Sequence, residues 1–140
     1  RYEYRVQVIG GEPVCGAGCI ERFTPADNRG NRYDPRMEET RNNGRIESHP
    51  DIARLYEAFA HEAAHAIRGE VEGPYVMDLY LDDAGQPHVI ELNPQSNSGL
   101  YALDMDALLT AIRDNPKQFM PDPSRSGMPG CLGVREETCI

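Results

Sequence analysis

Lysine is almost missing from this chain: Lys117 stands alone beside 13 arginines. Positive charge is scarce altogether. Fourteen basic residues face 23 acidic ones for a net charge of -9, which argues against a general nucleic-acid binder. No apolar run approaches the roughly 18 residues that a membrane-spanning helix needs, so no membrane partner is expected. No basic-then-apolar leader opens the sequence. It begins at Arg1 inside a strand-like pattern and without an initiator Met, as a fragment of a longer protein would. Cysteine is sparse as well. Cys15 and Cys19 are close, but Cys131 and Cys139 are spaced too loosely for a zinc ligand pair, so reduced structural thiols and a cytoplasmic address are expected.

What remains is ordinary globular material. A length of 140 residues is one domain or a piece of one, and 39% hydrophobic with 26% charged residues can build a core and a wet surface. Residues 1–9 alternate, with Tyr2, Tyr4, Val6 and Val8 on one side and Glu3, Arg5 and Gln7 on the other. A turn at residues 10–13 allows residues 14–23 to return as a second strand, in which Gly16 and Gly18 mark a bulge or a close backbone approach. Residues 24–50 are polar and aperiodic, and they carry Arg29, Arg32, Arg36, Arg41 and Arg45. This stretch reads either as a solvated, mobile insertion or as an arginine-bearing flap over an anionic substrate.

Residues 51–68 read as an amphipathic helix, capped by Ser48 or Asp51, with Pro50 in its first turn and Gly69 after its end. Its apolar stripe takes in Ile52, Leu55, Tyr56, Phe59, Ala63, Ala66 and Ile67, centred near Ile52, Phe59 and Ala63. Two more strands, residues 74–81 and 88–93, flank a hairpin loop rich in Asp and Gly. Pro94 stops the second. A second helix is expected over residues 104–115 with Met105, Leu108, Leu109 and Ile112 inward, ahead of an irregular Pro/Gly-rich tail at residues 121–140.

Two patterns compete for the chemistry. His61-Glu62-Ala63-Ala64-His65 matches H-E-x-x-H, the zinc-hydrolase arrangement. The helical phase puts both histidines opposite the apolar stripe, facing water and without an obvious third ligand, which leaves a zinc hydrolase as the distant third alternative. The second hairpin offers more. Pairing Leu81 with His88 sets Asp78 opposite Glu91, and Asn93 follows on the same face. Two facing carboxylates repel unless a cation neutralises them, and an oxygen-only donor set suits magnesium or manganese. A solvent-facing polar edge is the plain alternative.

At these residues the sequence resembles the ATP-grasp superfamily. The stretch YVMDLYLDDAGQPHVIELNPQSNSGLY is similar to that family's metal-binding strand pair, an Asp on one strand and Glu-x-Asn on the next. EYRVQVIGGEPV resembles an earlier family strand, and GLYALD a phage and bacterial branch of small members. The resemblance implies an α+β fold, an antiparallel sheet flanked by helices like the C-terminal half of an ATP-grasp domain, spanning residues 1–120. It implies Asp78, Glu91 and Asn93 as ligands of Mg2+ or Mn2+, Arg5 as the catalytic contact to the ATP phosphates, and Glu3 as an accessory cofactor-binding residue. The implied activity is ligation: a carboxylate substrate is activated as an acyl phosphate and joined to an amine. The family also grips ATP with lysines from an N-terminal subdomain, and this sequence shows none upstream of Lys117. That departure implies a missing subdomain, or else a non-catalytic remnant or interaction module.

Overall fold

Backbone pairing along the first hairpin starts the sheet. The computed structural model describes residues 1–120 and the backbone of residues 133–134. Strand β1 (Tyr4–Ile9) turns through Gly10 and Gly11, both at positive φ, into β2 (Glu12–Gly18). A register shift at Gln7/Val8 marks the bulge of this pair. Gly16 and Gly18 are the close approaches: a Cβ would strike the Tyr4 ring at the first and the Arg36 carbonyl oxygen at the second. The strand therefore ends at Gly18, earlier than the expected residue 23.

The polar stretch at residues 24–50 is folded, contrary to the expectation of a structureless insertion. After a single 3-10 turn at Pro25–Asp27 come β3 (Arg36–Glu38) and β4 (Ile46–Ser48), which pair antiparallel. Met37 is wholly buried, and so is Asp34, whose carboxylate holds the Arg36 guanidinium at 3.0 and 2.6 Å. Burying this carboxylate is tolerable because its partner is charged and well aligned. Few apolar residues are needed for such a segment when its polar groups satisfy one another.

Helix α1 (Pro50–Ala66) follows. Pro50 sits at its first position as expected, but His49 occupies the cap and its side chain bonds Glu47 instead of capping the helix backbone, and Ser48 belongs to β4. The helix buries Ala53, Tyr56, Ala60 and Ala64, with Ile52, Phe59, Ala63 and Ile67 flanking. The buried line is rotated from the expected centre, and Leu55 and Ala66 are exposed. Small alanines let the helix backbone lie close to the sheet, so the contact follows them and Tyr56 instead of the largest apolar residues.

After β5 (Val71–Glu72), which pairs with β8 (Gly133–Val134), come β6 (Tyr75–Leu81) and β7 (Pro87–Pro94). The main sheet is antiparallel with the order β2-β1-β6-β7. Tyr4, Val6 and Val8 with Tyr75, Met77 and Leu79 form the face that packs on α1. Each large apolar side chain buried there contributes about 1.5–3 kcal/mol. Tyr4 and Tyr56 stack at 5.1 Å, and their hydroxyls donate to the carbonyls of Asp34 and Tyr2. Helix α2 (Met105–Asp114), capped by the Asp104 carboxylate, packs with Leu100, Tyr101 and Leu103 over the β2 end of the opposite face. Leu108 is buried as expected, whereas Leu109 is 55% exposed.

The α+β class with an antiparallel sheet flanked by helices is thus what the chain adopts. No helix among the described residues is long and apolar enough to cross a membrane. The expected irregular tail, with Cys131 and Cys139, lies outside the described residues apart from the backbone of β8.

Candidate functional site

The sheet face turned away from α1 carries a row of residues that alternation and pairing bring side by side. Ala17 on β2 opposes Arg5 on β1, Arg5 opposes Asp78 on β6, and Asp78 opposes Glu91 on the edge strand β7. The next row along is Cys15, Gln7, Val76 and Asn93. Asp78 and Glu91 therefore meet as expected, though the hairpin reaches that register differently. At its tip Leu81 pairs with Pro87, not His88, and a bulge at Ile90 restores the pairing of Asp78 with Glu91.

Arg5 and Asp78 are joined to each other. The Asp78 carboxylate accepts Nε and Nη2 of Arg5, both at 2.8 Å, in a bidentate fork. Only 8% of Arg5 and 6% of Asp78 remain exposed. The third arm, Nη1, donates to the Gly99 carbonyl at 2.9 Å, and the guanidinium lies 4.9 Å from the centre of the Tyr101 ring. Burial alone would weaken the hold of Arg5 on its proton, but the hydrogen bonds to Asp78 reverse this and raise its pKa above the ordinary guanidinium value. The expected phosphate contact and the expected metal ligand thus neutralise one another here.

The outer members are different. Glu91 is exposed, Asn93 is half-buried, and neither side chain has a hydrogen-bond or ion-pair partner among the described residues. Glu3, two residues before Arg5, is half-buried and lies 3.5 Å from Arg41. Of the five arginines in residues 24–50, Arg41 is the one that reaches this rim. From the turn between β3 and β4 it also pairs with Glu21 and lies 3.4 Å from the Tyr101 hydroxyl. Arg36 and Arg32 instead bind within the fold, to Asp34 and to the Val14 carbonyl.

Three neighbours escaped the sequence reading. Tyr101 sits in the left-handed region at φ 50, where a side chain other than glycine is strained, and its ring lies against Arg5. Nothing in its sequence context signals this. Gln7 is wholly buried with Nε2 unpartnered, while its Oε1 accepts from Gln95 at 3.2 Å. Its signal was available, since it alternates with Arg5 on one strand. Cys19 is buried, and its thiol is pushed up to about 12 by burial and then by Asp78, so it stays protonated at neutral pH.

The donor types in this row bear on a divalent cation. Asp78, Glu91 and Asn93 offer oxygens alone, the chemistry of magnesium or manganese. With Asp78 already bound to Arg5, a cation placed here would find only the Glu91 and Asn93 side chains disengaged among the described residues. Among the described residues, no three His, Cys, Asp or Glu side chains come together as a metal-binding group. The H-E-x-x-H histidines lie on the solvent side of α1, as expected, both exposed and with His61 3.8 Å from Glu12.

Compared with protein-family models, curated proteins and solved structures, the chain matches none. The chemistry of the sheet face must therefore carry the reading.

Proposed function

We propose that this sheet face is the magnesium- and phosphate-binding side of an ATP-dependent carboxylate–amine ligase of the ATP-grasp type. The observation that supports it most is the row Arg5, Asp78, Glu91, with Asn93 one row along: one guanidinium, two carboxylates and an amide on a single face. Glu91 and Asn93, whose side chains have no partner among the described residues, would take a cation, and Asp78 would share it. The cation would screen the repulsion between an incoming carboxylate and the triphosphate. Arg5 would hold a phosphate oxygen, with Glu3 and Arg41 at the rim setting the charge of the approach. ATP would be gripped jointly with a second, lysine-bearing unit, since Lys117 is the one lysine in the sequence.

One observation favours a rival. The Arg5–Asp78 fork satisfies both partners, as a purely structural ion pair would, and a non-catalytic module keeping the fold would retain it. Calorimetric titration of Mn2+–ATP into the chain separates the two readings. Binding is expected to be weak but measurable, and to drop at least about tenfold in Glu91→Gln, the scale of one charge-assisted contact. The melting free energy of that variant should stay within about 0.5 kcal/mol of wild type, because Glu91 is exposed and its side chain has no partner among the described residues. Absence of binding, or equal binding by the variant, rejects the ligase reading in favour of the module.

A further inference from the structure

We propose that the Arg5–Asp78 ion pair is exchangeable, and that it couples the binding of a divalent cation to the binding of a polyphosphate. Each ligand alone binds poorly, and each binds better when the other is present. The inference rests on the metal-and-phosphate reading above and adds how the two ligands depend on one another.

The geometry of the row carries it. Asp78, the inner carboxylate, has both oxygens on Arg5 at 2.8 Å. Arg5 has its remaining arm on the Gly99 carbonyl, so neither residue offers a free charge. Glu91 and Asn93 stand beside them with none of their side-chain oxygens engaged among the described residues. A cation arriving at Glu91 meets an Asp78 already neutralised. A phosphate arriving at Arg5 meets a guanidinium already paired. Either one, to bind fully, must open the fork and strand the other partner as a buried unpaired charge, the most costly state of such a pair.

Arrival of both removes that cost. The cation takes over Asp78 and the phosphate takes over Arg5, so each buried charge exchanges one counter-charge for another. By linkage, each ligand then raises the affinity of the other by the same factor. Opening the fork also draws Arg5 from Gly99 and from the Tyr101 ring, whose backbone is held at positive φ in the paired state.

The test uses the chain and two variants, each with one ligand at a time. Arg5→Gln leaves Asp78 without its partner, so Mn2+ alone should bind about tenfold tighter than to wild type, within the 5–150-fold range usual for coupled sites. Mn2+ should also raise the melting temperature of this variant more than that of wild type. Asp78→Asn leaves Arg5 unpaired, so pyrophosphate without metal should bind about tenfold tighter. Should either variant not fold, the Arg5 Nε–H resonance of the wild-type chain decides. It should shift when Mg2+ and pyrophosphate are added together and stay in place with either alone.

If Mn2+ binds Arg5→Gln no better than wild type, or the resonance moves with one ligand alone, the coupling is overturned. Provided wild type still binds Mn2+–pyrophosphate, the metal-and-phosphate reading stands. If wild type binds neither ligand in any combination, both ideas fall.

Discussion

His61 and His65 show how a residue pattern is judged by where its helix turns. Their spacing suits zinc, yet both rings are exposed, and His61 lies 3.8 Å from Glu12. A surface pair of that kind is worth about 0–1 kcal/mol. Replacing either histidine by Ala should therefore change stability by no more than about 0.5 kcal/mol in thermal melts. A loss of several kcal/mol would mean that one ring holds a structural ligand. Asp78 and Glu91 were legible for a simpler reason: strand alternation fixes a face, and an even-length hairpin sets the pairing. The route there was imperfect, because the sequence gives no sign of the bulge at Ile90, and only the inner half of the ladder keeps the expected register. That Arg5 meets Asp78 was not legible from residues 74–94 at all. It depends on β1 lying beside β6, a contact between residues 73 apart.

At the scale of elements, α1 was found in the sequence but its phase was not. Weighting by side-chain size draws the stripe toward Ile52 and Phe59, whereas close packing on a sheet selects for small residues along the line of contact. Ala60 is wholly buried between helix and sheet, while Leu55 is 39% exposed. Ala60→Leu should consequently cost about 1–3 kcal/mol by overpacking. Leu55→Ala, for all its larger loss of apolar surface, should cost less than about 1 kcal/mol. Urea melts that reverse this order would return the helix to the phase read from the sequence. The segment holding β3 and β4 was invisible for a different reason. Its two strands are three residues each, too short for periodicity, and Met37 is its single wholly buried apolar residue. What holds it is polar: Asp34 with Arg36, Tyr4 with the Asp34 carbonyl, and the guanidinium of Arg36 against Phe23.

The whole molecule has its buried acids in common, and they set how it should respond to base. The α+β class followed from alternation and helical spacing, but the sheet order did not. That order puts β1 inside, while the edge strand β2 is covered by the cluster around Tyr101, Leu103 and Leu108, so thiols and phenols in these places lose water. Cys15 and Cys19 are both pushed from 9.0 up to about 12 by burial, and the Tyr101 hydroxyl is moved by burial from 10.0 up to about 12. Tyr4 is raised too, again by burial. An acid whose pKa is higher in the folded state keeps its proton there while the unfolded chain has already lost it. Between pH 9 and 12 the unfolded state thus binds fewer protons, and stability falls as pH rises, by up to about 1.4 kcal/mol per pH unit for each group. The stabilising contribution is complete below pH 9 and is gone once the folded pKa values are passed. Melting temperature should accordingly be flat from pH 7 to 8.5 and then decline steeply. Cys15→Ala with Cys19→Ala should soften the decline above pH 9 even though the double variant begins from a lower melting temperature. An unchanged slope in that variant would assign the alkaline loss to the tyrosines alone.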